Sequence, residues 1–350
     1  MTRRRAWMAG LTVLVLLGVA VAVVLVRSRG DDPRLVAALR SAPDDSARLL
    51  WTDWSGVRAE VGADLDVASS PQQVESMLDD AFDADLTSTS ALVESAALMQ
   101  QRLGFSPATL DWEVYAQSES AASLTMRLAE GVTTDDVAEA LRAVEFVAPD
   151  EPDGVWTRNV DTSPVAADLT PELGNIVLDD ETGTVLASDT ADGVRRALEA
   201  LRADEPGDVP GDVLASLGPA LSAAAYTGAD ACGALAMTSA DADAQAEADR
   251  LVAAAGPVDP VTGFAIGALS DGTVRVALGF DDDDEARANA DSRAALASGP
   301  APGQGGEFAD RFTLRRASAE GEVVTLALDP VDDATVLSDL STGPVLFATC

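Results

Sequence analysis

Leu92-Val-Glu-Ser-Ala-Ala-Leu-Met-Gln-Gln-Arg-Leu-Gly104, then Trp112-Glu-Val-Tyr-Ala116 and Leu124-Thr-Met-Arg-Leu128, is the stretch on which the fold turns. Leu92, Ala96, Met99 and Leu103 fall on one stripe of a helix, and Gly104 supplies its stop. Trp112, Val114 and Ala116 alternate as a strand does, Ser118-Glu-Ser120 turns the chain, and Leu124, Met126 and Leu128 alternate again. The same pattern returns 152 residues later. Ala244, Ala248, Leu251 and Ala255 form the stripe, Gly256 the stop, Phe264, Ile266 and Ala268 the first strand, and Val276, Leu278 and Phe280 the return strand. Between those strands, Asp271-Gly272 is a strong hairpin signal.

The pattern extends on both sides. Thr133-Thr-Asp-Asp136 opens a helix with Val137, Leu141 and Val144 on one face; Asp281-Asp-Asp-Asp-Glu285 opens its counterpart, with Ala290, Ala294 and Ala297. Strand-like stretches follow at 154–160 and 308–315, and an apolar stretch precedes each first helix, at 49–54 and 221–226. The expected fold class is α+β: an N-terminal transmembrane helix, then two tandem ferredoxin-like repeats of order β-α-β-β-α-β plus extra strands. The additions are Ile176 to Leu186 with a following helix (Val194, Leu198, Leu201), Val323 to Leu328, and a final strand Pro344 to Cys350.

The uncharged run Ala6 to Val26 spans twenty-one residues between Arg3-Arg4-Arg5 and Arg27/Arg29. At about 1.5 Å per residue it makes a helix of roughly 31 Å, enough to cross a hydrocarbon core of about 30 Å. An uncleaved anchor with its N-terminus inside is expected; the alternative is a signal cleaved at Ala20-Val21-Ala22. The expected organisation is tail and anchor at 1–29, a partly helical stalk at 30–45 with Leu35, Leu39 and Ala42 on one face, copy one at 46–205 and copy two at 212–350. The break between copies is the Pro/Gly/acid stretch Asp204 to Gly211.

Composition narrows the chemistry. The 350-residue chain carries a net charge of −36 and has no histidine. With the five flanking arginines set aside, 18 arginines face 59 acids, which repels nucleic acid. Without histidine or lysine, there is no histidine triad, histidine zinc site, Walker-type phosphate loop or Schiff base. Cys232 and Cys350, in an exported domain, are expected to form a disulfide.

The remaining features read more simply as structure. Asp281 to Glu285 and Asp241, Asp243 and Asp249 are helix caps and solvated faces rather than cation sites, since adjacent acids point in different directions. Asp179 to Gly183 is a hairpin turn. Gly299-Pro-Ala-Pro-Gly-Gln-Gly-Gly306 is a surface loop, because its prolines remove amides a phosphate would need. Trp51, Trp54, Trp112 and Trp156 read as core or inter-copy packing rather than a sugar platform. No catalytic residue, cofactor or metal ligand is assigned.

The basic tail, the anchor, the Ala/Asp-rich remainder and the stretch Asn289-Ala-Asp-Ser-Arg293 through Gly306 to Asp310-Arg-Phe312 resemble single-pass, membrane-anchored proteins exported by actinobacteria. That resemblance implies location and no activity. The expected function is an extracytoplasmic binding or interaction protein whose partner is an envelope protein or a small ligand, with a groove between the copies as its site. A carboxylate-based hydrolase, with or without a divalent cation, and a structural subunit of an envelope complex are the alternatives.

Overall fold

The computed structural model describes residues 34–159, 163–165, 167–205 and 207–350. The run Ala6 to Val26 lies outside the described residues. Among those described, no helix is long and apolar enough to cross a membrane.

The strands are β1 (Arg48–Thr52), β2 (Leu110–Gln117), β3 (Ala122–Leu128), β4 (Phe146–Val147), β5 (Trp156–Arg158), β6 (Asn175–Asp179), β7 (Thr184–Ser188), β8 (Ala220–Thr227), β9 (Gly263–Leu269), β10 (Val274–Gly279), β11 (Phe312–Glu320) and β12 (Val323–Pro330). They form one sheet of 12 strands in the order β11-β12-β10-β9-β8-β1-β2-β3-β7-β6-β5-β4, and each strand pairs antiparallel with its neighbours. From the central β1–β8 pair the order runs outward as β2, β3, β7, β6 on one side and β9, β10, β12, β11 on the other.

This order corrects the ferredoxin-like expectation. A ferredoxin-like unit places its first and third strands side by side and parallel, which requires a crossover. Here β1 pairs directly and antiparallel with β2, with Leu50 opposite Tyr115, and β8 does the same with β9. The intervening helices are excursions that bring the chain back beside the strand it left. Element order along a sequence does not separate such a return from a crossover.

The helices are α1 (Arg34–Leu39), α2 (Trp54–Glu60), α3 (Pro71–Asp83), α4 (Ala96–Arg102), α5 (Thr134–Ala143), α6 (Ala191–Ala203), α7 (Gly211–Leu217), α8 (Gly228–Ala234), α9 (Ala242–Ala255), α10 (Asp283–Leu296) and α11 (Val336–Leu340). Their starts follow local chemistry. The Thr133 side chain accepts from the Asp136 amide while Asp136 answers to the Thr133 amide, and Asp241 and Asp282 accept the first amides of α9 and α10. Gly104 and Gly256 sit at φ 76° and 112°, past the ends of α4 and α9, where a side chain would strain the backbone.

One face of the sheet carries the larger core, from Leu50, Leu124 and Met126 through Ile266, Val276 and Leu326 to the helices above them. On the opposite face α1 and α7 cover the middle strands, burying Leu35, Leu39, Leu49, Trp51, Val114, Leu214 and Ala265, and α6 covers β6 and β7. The segment 34–42 therefore lies against the sheet, with Leu35, Leu39 and Ala42 all buried.

The register between the halves slips by one residue between the first hairpin, β2–β3, and its counterpart, β9–β10. Leu124 and Val276 are 152 apart and both face the larger core, but their cross-strand partners Tyr115 and Ile266 are 151 apart. Trp112, Val114 and Ala116 consequently face α1 and α7, whereas Phe264, Ile266 and Ala268 face the larger core. Residues 118–121 separate the last β2–β3 pair and residues 269–273 the last β9–β10 pair, so the second turn holds the extra residue. Both faces of β2 are covered, so the apolar set Trp112, Val114 and Ala116 does not by itself say which cover it meets.

The C-terminus corrects a second expectation. Residues 344–350 form no strand; Leu346–Ala348 is a buried 3₁₀ turn. Pro344 lacks a ladder donor, and the Val345 amide donates to Leu235 O at 2.7 Å. Cys232 and Cys350 form a disulfide with Cα atoms 5.6 Å apart. Beside it, the fully buried Arg293 donates to Phe347 O (3.1 Å), Thr349 O (2.5 Å) and Asp259 O (2.5 Å). Its guanidinium lies 5.8 Å from the centre of the Phe280 ring, and burial pulls its pKa down to about 10, so it stays charged at neutral pH.

Candidate functional site

The candidate site lies at the centre of the sheet, on the face covered by α1 and α7. Trp51 on β1 is 1% exposed. Its indole N–H donates to Ala220 O of β8 at 3.0 Å, and its ring leans on Trp112, 5.8 Å away. The indole is thus fixed across the seam between the halves of the sheet.

Cavities flank α1 there. One, of about 310 Å³, is lined by Leu35, Trp51, Gly218, Pro219 and Ala220, with Arg34 and Asp53 beside them. Arg34 Nη1 meets Asp53 Oδ2 at 3.1 Å, and Asp53 Oδ1 accepts from the Gly56 amide at 2.9 Å, capping α2. A second, of about 200 Å³, is lined by Val36, Leu39, Leu49, Val209 and Leu214. Both are mostly apolar, and α1 forms a wall of each. A third, more open space of about 450 Å³ lies between Arg40, Asp44, Asp45, Arg196 and Glu199, where Arg196 pairs with Asp45 at 2.6 Å.

The residues singled out from the sequence go to separate places. Trp51 faces this site, whereas Trp54 begins α2 on the other face of the sheet and is fully buried, so the pair forms no exposed platform. Asp282 caps α10, while Asp283 and Asp284 face solvent beside Arg287. Asp241 caps α9, and Asp243 and Asp249 are exposed. Asp179 accepts from the Thr182 amide and hydroxyl inside its hairpin turn. The loop 299–306 is held by Arg311, which donates to Gln304 O and Gly305 O. Among the described residues no group of three or more Cys, Asp or Glu is placed to hold a metal ion.

Sequence reasoning missed two carboxylates. Glu113 is fully buried on the larger-core side of β2, at the position Phe264 takes in the other half of the sheet. It accepts from Trp54 Nε1 (3.0 Å), Ser90 Oγ (2.6 Å) and the Ala91 amide (2.9 Å). Burial pushes its pKa up to about 7 in spite of those donors. Asp85, at φ 57°, accepts from the Leu337 amide (2.6 Å) and the Ser338 amide (3.2 Å), tying the α3 end to α11. Burial raises its pKa to about 6. Neither had a sequence signal: an acid in an alternating strand reads as outward-facing, and one after a helix reads as a turn.

No protein-family model and no curated protein matches this chain. Two solved structures are similar in part, crystal forms I and III of TP0453. The first shows 7% identity and a TM-score of 0.41 over 87% of this chain and 96% of that one. The second shows 8% identity and a TM-score of 0.40 over 89% and 99%. Likeness of that depth carries neither a family nor a function.

Proposed function

We propose that this chain is a single-pass, membrane-anchored binding protein working outside the plasma membrane. In this reading the two halves of the sheet are copies of one α+β unit, and a small ligand or envelope protein is held at their join. The observation that carries the reading is the pair of apolar cavities on either side of α1, at the β1–β8 seam. Ligand sites are commonly concave, apolar and set between structural units, with a few polar groups at hand; Arg34 and Asp53 are those groups here. The disulfide supports an oxidising compartment. Six residues make α1 too short to hold as a helix alone, so its burial holds it, and an occupant of either cavity would act on it directly.

Photocrosslinking tests this. A photoreactive phenylalanine analogue replaces Pro219, at the cavity edge, in the full chain in intact cells, with Phe82, 64% exposed on α3, as the control position. The expected result is a discrete adduct from position 219 that is absent from position 82. No adduct, or the same adduct from both, counts against the reading.

A further inference from the structure

The sheet ends differently at its two edges. At one edge stands β4, a pairing of two residues. At the other stands β11, nine residues long and, among the described residues, paired only with β12. Long edge strands are usually blunted by charge, proline or a bulge, because their unpaired amides and carbonyls recruit other strands. The bulge in β11 falls between Leu314 and Arg316, which leaves 316–320 in regular register opposite 327–323.

That regular segment reads Arg316-Ala-Ser-Ala-Glu320. Ala317 and Ala319 pack toward the larger core, so Arg316, Ser318 and Glu320 share the other face. Arg316 and Glu320 are exposed and make no ion pair among the described residues. Gly321-Glu322 forms a two-residue turn with Gly321 at φ 57°, closing on Glu320 opposite Val323. A turn of this length closes on a hydrogen-bonded pair. Alternation then points the backbone groups of Glu320, Ser318 and Arg316 at β12 and those of Ala319 and Ala317 outward.

We propose that the edge 316–320 is a dimerisation strand that pairs antiparallel with the same strand of a second copy, about a two-fold axis at Ser318. The sequence complements itself in that register. Ala317 of each chain lies opposite Ala319 of the second copy, and their outward amides and carbonyls meet as hydrogen-bonded pairs. Arg316 of each chain lies opposite Glu320 of the second copy on one face, in a closely spaced pair, so the two-fold creates two ion pairs. Small residues at 317, 318 and 319 leave the strands free to approach. On a chain of net charge −36 a copy is repelled from acidic faces; this segment balances one cation against one anion. The inference does not depend on the proposed ligand site, which lies at the middle of the sheet.

The test uses the full chain in detergent micelles. Arg316→Glu and Glu320→Arg should each weaken self-association about tenfold, and the double swap should restore it. Both side chains point to solvent, so the swaps leave the core untouched, and the far-ultraviolet spectrum checks the fold. Under mild oxidation Ser318→Cys should form a cross-linked dimer faster than Ser298→Cys, an exposed position on the chain after α10. A wild-type chain that stays monomeric up to near-millimolar concentration overturns the proposal. So does a double swap no better than either single change, or equal cross-linking from positions 318 and 298.

Discussion

Trp54 and Glu113 meet in the interior, the indole N–H donating to a carboxylate that no solvent reaches. Trp54 opens α2 and Glu113 lies mid-strand in β2, so the bond fastens the first helix after the central strand to its neighbouring strand. Ser90 and the Ala91 amide close the cluster from the loop before α4.

This carboxylate makes stability depend on pH. Its folded pKa, about 7, lies above the usual 4.5. The folded state therefore binds the proton more tightly than the unfolded chain. The resulting stability is full below about pH 4.5 and is lost as pH rises through about 7, a change of order 3 kcal/mol. Glu113→Gln should remove this component. Urea unfolding of both proteins from pH 4.5 to 8 checks it, and the difference between their curves cancels the other acids. Parallel curves would refute the assignment.

Asp85, unlike Glu113, joins the two halves of the sheet, accepting from the Leu337 and Ser338 amides. Asp85→Ala leaves the Leu337 and Ser338 amides without their acceptor and should destabilise by about 1–3 kcal/mol, while Asp85→Asn keeps an acceptor and loses less. Hydrogen exchange reads the site directly, with faster exchange at Leu337 and Ser338. The raised pKa of about 6, against the usual 3.8, has the same sign as that of Glu113: stability present at low pH is lost as pH passes 6.

The C-terminal clasp should be the largest single contribution. The disulfide closes a separation of 118 residues, and Cys350→Ser should destabilise by up to about 5 kcal/mol in the chain-entropy account. Arg293→Met should also be severe, because three carbonyls, two of them buried, lose their donor together. Thermal unfolding with and without reductant checks the first. Peptide mapping without reductant should recover Cys232 linked to Cys350.

Removing residues 1–33 should leave a folded, soluble protein, since the described core begins with Leu35. Dispersity by light scattering and the near-ultraviolet spectrum of the tryptophans measure this. Aggregation would mean that the apolar run packs against the rest.

Much of the local structure was legible. Asp241, Asp282 and Thr133 announced helix starts, Gly104 and Gly256 announced stops, and Asp271-Gly272 announced a hairpin. The site was only partly legible. Leu35, Leu39 and Ala42 read as one face of a partly helical stalk, and nothing marked that face as packing on the seam beside Trp51. The slip between β2 and β9 was hidden because Trp112-Val114-Ala116 and Phe264-Ile266-Ala268 alternate alike while facing opposite sides. Glu113 was hidden by the same slip, which brings it to the place of a phenylalanine.

By itself, the sequence determined what is local or compositional: helix ends, strand alternation, the absence of histidine and lysine chemistry, and a single possible cysteine pair. Those follow from side chains acting within a few residues, or from counting. The tertiary structure decided which strands are neighbours, which face each strand gives to which helices, and that an acid lies in the core. Those depend on apolar faces far apart in the chain competing for cover, and short-range periodicity carries no record of which one wins.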